Sequence, residues 1–241
     1  MWEIELRYHI GKLLPHTVSK RLSLRNLSQS QPTAPEDAVA TAFNYKGWGE
    51  YASIRPMQCE KEIVEFAKVV RDLEPDTVVE IGTAKGGSLF ILAQMAPTAH
   101  IISVDLPPEE ATKPQTPPSF QSTFGDEISY DAVRADSHDA ETRNQVENLS
   151  GGEIDLLFID GDHSETSVRH DFMQYAPLVR DGGLIAFHDI EYEQGGVDAI
   201  WDELNLSNRY STSEIVFSEE RIARTARVGI GIAQVERTKR S

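Results

Sequence analysis

From residue 77 onward, short apolar runs alternate with amphipathic stretches, the pattern of repeated strand–helix–strand units and a parallel sheet. The runs at 77–81, 101–106, 154–159 and 184–187 are continuously hydrophobic rather than alternating, as strands covered by helices on both faces should be. A weaker strand is expected at 132–135, and 213–217 and 228–235 read as two closing strands. Helical periodicity falls at 57–73, 88–96, 140–149, 167–179 and 196–204. The chain therefore reads as a doubly wound, mostly parallel α/β domain over 56–237, preceded by an N-terminal helical extension and linker over 1–55. No internal period of the kind that builds solenoids is visible.

Two segments break the pattern. Residues 107–124 contain Pro107, Pro108, Pro114, Pro117 and Pro118 directly after a strand's carboxyl end, so they form either a disordered insertion or a substrate lid. Residues 28–39, rich in Ser, Gln and Pro, read as a linker between residues 1–27 and the core.

Composition narrows the partners. There are 39 acidic against 23 basic residues, a net charge of −16, and such a field repels nucleic-acid phosphates. Arginine outnumbers lysine within this acid excess, which fits either a halophile's protein or an ordinary acidic cytoplasmic one. Cys59 is the single cysteine, so no intrachain disulfide forms and a reducing compartment is expected. No run of about 18 apolar residues or signal-like leader is present, so no transmembrane segment is expected.

Residues 1–27 differ from the rest. Arg7, Lys12, Lys20, Arg21 and Arg25 against Glu3 and Glu5 give +3, which leaves −19 for the remainder. With Trp2, Ile4, Leu6, Ile10, Leu13 and Leu14, the segment fits a peripheral anchor at the membrane's inner face. The competing reading is a terminal helix docked on the core or on a second copy in a homo-oligomer.

The first strand ends in Glu80-Ile81-Gly82-Thr83-Ala84-Lys85-Gly86-Gly87-Ser88, a glycine turn opening a helix. The spacing is not the G-x-G-x-x-G of dinucleotide sites, nor does it end in G-K-[ST]. An acid before the first glycine repels a pyrophosphate and suits the ammonium of an amino-acid-bearing nucleoside. Asp105 ends the second strand, where a carboxylate can accept from both hydroxyls of an unphosphorylated ribose. Asp136 and Ser137 hold the analogous place after the third strand and suit an adenine edge. Each acid also has a bland reading, as a turn or helix-start residue.

These residues resemble the class I S-adenosylmethionine-dependent methyltransferases, with their E/D-x-G-x-x-x-G turn and second-strand acid. Over 78–190 the motifs Glu-Ile-Gly-Thr-Ala-Lys-Gly-Gly-Ser, Ile-Ser-Val-Asp, Phe-Ile-Asp-Gly-Asp-His-Ser and Gly-Gly-Leu-Ile-Ala-Phe-His-Asp are similar to macrocin-type and rhamnosyl O-methyltransferases and cephalosporin hydroxylase. The resemblance implies a Rossmann-like seven-stranded sheet that reverses order between its first and fourth strands, with ligands at that switch point. It implies S-adenosylmethionine held by Glu80, Gly82, Thr83, Gly86, Ser88, Asp105, Asp136 and Ser137.

It further implies a magnesium ion between Asp160 and Asp189 at the fourth and fifth strand ends, although His188 stands where several metal-dependent relatives have an acid. His163, His188 and Asp160 are the catalytic candidates, a histidine taking the acceptor's hydroxyl proton. The bland alternative makes Asp162-His163-Ser164 a helix start and His188 a satisfied core residue. Within the family the acceptor is a sugar hydroxyl, a sugar carboxylate or a small-molecule hydroxyl, and the anchor reading of residues 1–27 would make it a lipid-linked sugar. The rivals are an NAD(P)-dependent oxidoreductase or epimerase, which Glu80 and the glycine spacing oppose, and a non-catalytic binding subunit on the same fold.

Overall fold

The computed structural model describes residues 2–28, 30–49, 52–107, 128–191, 196–221 and 224–236. Its elements in chain order are α1 (Trp2–Leu13), α2 (His16–Ser28), α3 (Pro35–Asn44), α4 (Glu60–Leu73), β1 (Thr77–Ile81), α5 (Gly87–Met95), β2 (His100–Asp105) and β3 (Ser129–Arg134). They continue with α6 (Ala140–Leu149), β4 (Ile154–Ile159), α7 (Glu165–Tyr175), β5 (Val179–His188), α8 (Val197–Asn205), β6 (Tyr210–Arg221) and β7 (Arg224–Val235). Seven strands form one sheet in the order β3-β2-β1-β4-β5-β7-β6. All neighbours are parallel except that β7 runs antiparallel to β5 and β6. This is the doubly wound, mostly parallel architecture that the alternation of apolar runs and amphipathic stretches implies, and its seven strands reverse order between β1 and β4 as the resemblance implies. Most of the proline-rich stretch 107–124 lies outside the described residues.

The side chains of each central strand alternate between two apolar layers, because successive Cβ atoms point to opposite faces. Val78, Leu156, Phe158, Leu184 and Ala186 pack with α3, α4 and α5 on one face. Val79, Ile81, Leu157, Ile159, Ile185 and Phe187 pack with α6, α7 and α8 on the other. Burial on both faces accounts for the largely apolar sequences of β1 and β4, which Glu80 and Asp155 interrupt.

The structure corrects two expectations. The stretch 28–39 is not simply a linker: Pro35 opens α3, with Glu36 and Asp37 in its first turn near the positive end of the helix dipole. Ala38, Val39 and Ala42 are fully buried against the core. Polar residues at the start of α3 had masked that apolar stripe. The helix expected at 167–179 stops at Tyr175, residues 176–178 tighten into a 3-10 turn containing Pro177, and β5 starts at Val179.

The N-terminal pair is built in reverse. Gly11 of α1 presses against the chain at Gly49, where an added Cβ would lie 2.0 Å from the Gly49 nitrogen. Arg7 turns inward over the Trp48 ring and donates to the Lys46 carbonyl at 3.2 Å. Trp2, Leu6, Ile10 and Leu13 consequently face outward, Trp2 76% and Leu13 85% exposed.

Gly87, the first residue of α5, has the carbonyl of Ile54 2.0 Å and the nitrogen of Pro56 2.6 Å from where a Cβ would stand. Gly87→Ala should therefore cost about 1–3 kcal/mol by forcing the 54–56 segment off α5. Gly151→Ala meets no atom within 4 Å and pays only for its φ of +66°, about 1–2 kcal/mol. Denaturant midpoints check this: a Gly87→Ala loss no larger than that of Gly151→Ala contradicts the packing.

Candidate functional site

The strand order reverses between β1 and β4, and their carboxyl ends diverge into a crevice. The two turns there are stitched to the sheet: the Asp160 N–H donates to the Ile81 carbonyl and the Gly82 N–H to the Val104 carbonyl, both at 2.9 Å. Gly82 has φ +90°, and an added Cβ would sit 2.2 Å from the Asp160 carbonyl oxygen. A glycine is required both by conformation and by contact. A cavity of about 350 Å³ opens above the turns, lined by Thr83, Lys85 and Ser88 on one side and by Asp160, His163 and His188 on the other. Arg55 and Gln58, from the strap before α4, close a third side.

Glu80 points into the α5 layer beneath the glycine turn and is fully buried, neither carboxylate oxygen having a hydrogen-bond partner. Burial pushes its carboxyl up to about 8; the nearby Ser88 and Thr83 hydroxyls oppose this, while the charges of Asp160 and Asp105 reinforce it. A buried carboxyl without a partner is a place where a cation is wanted.

Asp105 ends β2 as expected, and its oxygens accept from the Ala84 N–H at 2.7 Å and the Leu106 N–H at 2.8 Å. The first of these holds Ala84 in a left-handed conformation, φ 43°, which a non-glycine residue adopts only under constraint. Gly86, φ +82°, completes the turn and caps α5. Asp136 accepts from the His138 N–H at 2.9 Å, and the Ser137 carbonyl accepts from Gln174 and Tyr175. Glu80, Gly86, Asp105, Asp136 and Ser137 are not in the cavity wall, whereas Gly82, Thr83, Ser88, Asp160, His163, His188 and Asp189 are.

The ends of β4 and β5 meet in a tight ionic cluster. Asp160 Oδ1 lies 2.9 Å from His188 Nδ1 and 3.3 Å from His163 Nε2. His163 Nδ1 reaches Asp189 Oδ2 at 3.1 Å, so its ring stands between the two aspartates. Asp189 sits in the left-handed region at φ 61°, turning its carboxylate back over the crevice. Ser164 caps α7, and Asp162 accepts from Ser164 and Ser167, so Asp162 is a helix-start residue while His163 belongs to the site.

Two residues of this cluster escaped the sequence reading. Glu62, fully buried on α4, accepts from His188 Nε2 at 3.2 Å and from the Cys59 N–H at 2.7 Å. Gln58 donates to Asp160 Oδ2. A signal was available, since Glu62 shares the i, i+4, i+8 row of α4 with the buried Phe66 and Val70.

For both histidines burial favours the neutral ring, but the acids win. His163 is raised to about 9 by Asp160 and Asp189, and His188 is held well above its ordinary value by Asp160 and Glu62. Burial works to raise Asp160, yet the two imidazoles bring it down to about 2. Neither histidine is a free base in this arrangement. One can take a proton from an acceptor only after giving up its own to solvent, which separation from its carboxylate partner would favour.

Comparison with known proteins agrees with the architecture. Residues 79–190 match the family model described as a methyltransferase domain. The chain is 33% identical over 118 residues to an uncharacterised protein of Acanthamoeba polyphaga mimivirus, 48% of this chain and 52% of that one, so it spans about half the length of this curated relative. Among solved structures, the O-methyltransferase TomG from Streptomyces achromogenes, involved in tomaymycin synthesis and bound to S-adenosylmethionine, superposes with a TM-score of 0.57 at 14% identity, covering 91% of this chain and 99% of that one. The Bacillus cereus O-methyltransferase bound to S-adenosylhomocysteine gives 0.54 at 16% identity, covering 96% and 99%. MycE of mycinamycin biosynthesis, bound to Mg, S-adenosylhomocysteine and mycinamycin VI, gives 0.54 at 19% identity, covering 88% and 57%.

Glu80 makes a pH-dependent contribution to stability. Its folded value, about 8, lies above its ordinary 4.5, so the folded state holds an extra proton between the two. Stability from this group falls as pH rises through that window, by a few kcal/mol in all. Glu80→Gln should flatten the loss and leave the ligand-free protein more stable than the parent at pH 8.5. Chemical denaturation at pH 5.5 and 8.5 measures it; parallel pH profiles for both proteins would show that Glu80 is already ionised or paired.

Proposed function

We propose that this chain is an S-adenosylmethionine-dependent O-methyltransferase whose acceptor is a hydroxyl or carboxylate of a sugar or glycan. The observation that carries the donor reading is Glu80: a fully buried carboxyl without a partner, under a glycine turn whose Thr83 and Ser88 line the cavity. The ammonium of an amino-acid-bearing nucleoside, directly or through water, answers that carboxylate, whereas the pyrophosphate of NAD would be repelled. Asp105 has lone pairs left for ribose hydroxyls after its two backbone bonds.

Methyl transfer from a sulfonium needs the acceptor oxygen in line with the methyl group, so alignment is the protein's principal contribution. The acceptor's place is over Asp160, His163 and His188, where an imidazole that separates from its carboxylate gives its extra proton to solvent and then takes the hydroxyl proton as the methyl group is transferred. A divalent metal held at the ends of β4 and β5 would supply Lewis-acid orientation of the acceptor oxygen. The sugar assignment rests on the likeness of the 80–88 and 158–164 motifs to sugar-methylating enzymes.

The outward apolar stripe of α1 favours a lipid-linked acceptor met at the cytoplasmic face of a membrane. Trp2, Leu6, Ile10 and Leu13 are solvent-facing, in a segment of +3 within a chain of −16. A second copy of the chain is the other occupant for this stripe. Co-sedimentation with anionic liposomes should fall severalfold for Leu6→Glu/Leu13→Glu. Negligible binding of the parent, with dimers in its sedimentation profile, would assign the stripe to self-association instead.

Asp105→Asn keeps the shape of the turn and removes the charge. It should weaken S-adenosylmethionine at least about tenfold, since charge-assisted bonds contribute about 1.5–3 kcal/mol each. Unchanged affinity by calorimetry would remove the ribose assignment. For the acceptor, labelled S-adenosylmethionine is incubated with purified protein and extracts fractionated into neutral sugars, nucleotide sugars and lipid-linked glycans. Label confined to non-carbohydrate products would overturn the sugar reading.

A further inference from the structure

The inner faces of the ionic cluster do not have the composition a magnesium ion requires. Magnesium takes oxygen donors in an octahedron, whereas three groups converge here, Asp160, His163 and His188, each offering one atom within 4.8 Å of the others. Two of the three are imidazoles. Asp189 does not join the same point, because the His163 ring separates it from Asp160.

We infer that Asp160, His163 and His188 form a site for a borderline divalent transition metal, of the zinc, cobalt or ferrous class, with Glu62 and Asp189 as its outer carboxylates. Imidazole nitrogen suits these cations and serves magnesium poorly. The spacing fits as well. Donors about 2.0–2.1 Å from a tetrahedral ion stand roughly 3.3 Å apart, and Asp160 Oδ1 is 2.9 Å from His188 Nδ1 and 3.3 Å from His163 Nε2.

Each remaining ring nitrogen then has the partner that metal-binding histidines usually have. His188 turns Nε2 to Glu62 Oε1 at 3.2 Å, and His163 turns Nδ1 to Asp189 Oδ2 at 3.1 Å. Such carboxylate–imidazole pairs fix the ring orientation and raise the basicity of the inner nitrogen. Gln58 engages Asp160 Oδ2, which leaves Oδ1 as the inward donor.

An independent observation points to a missing ligand. His188 is 5% exposed and aims Nδ1 inward at Asp160 Oδ1, 2.9 Å away, in an ionic contact without hydrogen-bond geometry. Glu62, fully buried at the start of α4, has one oxygen on the His188 ring and the cap of its own helix and the other without a partner. A carboxylate in an apolar layer that serves only to cap a helix does not need to reach an imidazole from another element; one that orients a metal ligand does.

This inference does not rest on the methyl donor, and its test does not use turnover. The full chain, stripped of metal by chelator and exchanged into clean buffer, is titrated with Co²⁺ while visible absorption is recorded, and with Mg²⁺ by calorimetry. One equivalent of Co²⁺ should give ligand-field bands and bind at least about 100-fold more tightly than Mg²⁺. His163→Ala and His188→Ala should each weaken Co²⁺ by at least about tenfold, and Glu62→Gln by about 10–100-fold through the outer shell. Circular dichroism confirms folding, and His188→Asn replaces any His188→Ala protein that fails to fold. Absence of ligand-field bands in the parent overturns the assignment, as does Mg²⁺ binding as tight as Co²⁺, or Co²⁺ affinity unchanged in folded histidine variants.

Discussion

Gly82 passes the Asp160 peptide so closely that a single methyl group there would come within 2.2 Å of a carbonyl oxygen. That approach brings together the turns after β1 and β4, the two strands between which the sheet reverses order. It leaves room for the cavity above while seating Glu80 below and Asp160 beside it. The Asp160 N–H bond to Ile81 and the Gly82 N–H bond to Val104 extend the sheet's hydrogen bonding past its formal ends. The functional groups are thereby mounted on rigid strand ends, which positions them more precisely than a free loop would.

The period-two alternation of the strands then decides which groups meet. Val78, Phe158 and Ala186 belong to the layer packed by α3, α4 and α5. Glu80, Asp160 and His188, two residues further along each strand, point the same way. The apolar layer thus ends in a polar edge roofed by the N-terminus of α4, from which Gln58 and Glu62 enter. Three carboxylates and two imidazoles are shared so that each charge has an opposite one in contact. Removing a single member leaves a charge buried and unpaired, which is costlier than the pair is stabilising.

The central strands were legible because burial on both faces makes β1, β2 and β4 read as largely apolar runs rather than alternating ones. Most of the candidate site was legible too, since its acids, glycines and histidines lie at strand ends in short motifs. Gln58 and Glu62 were not, because their partners are 102 and 126 residues away and the helix reads as an ordinary amphipathic one. Helix α3 was hidden behind Pro35, Glu36 and Asp37, whose polarity signals a loop and a helix start equally well. His163 and His188 read as bases from residue type, but their carboxylate contacts, absent from any local pattern, raise both above the ordinary imidazole value.

The central claim is that the crevice between β1 and β4 takes the amino-acid-bearing nucleoside and not a dinucleotide. Thermal unfolding of the chain with S-adenosylhomocysteine and, separately, with NAD tests it most directly. At about 100 times its Kd the nucleoside should stabilise the fold by about 2.7 kcal/mol, visible as a rise in Tm, while NAD at the same concentration leaves Tm unchanged. Stabilisation by NAD with none from S-adenosylhomocysteine would contradict the account.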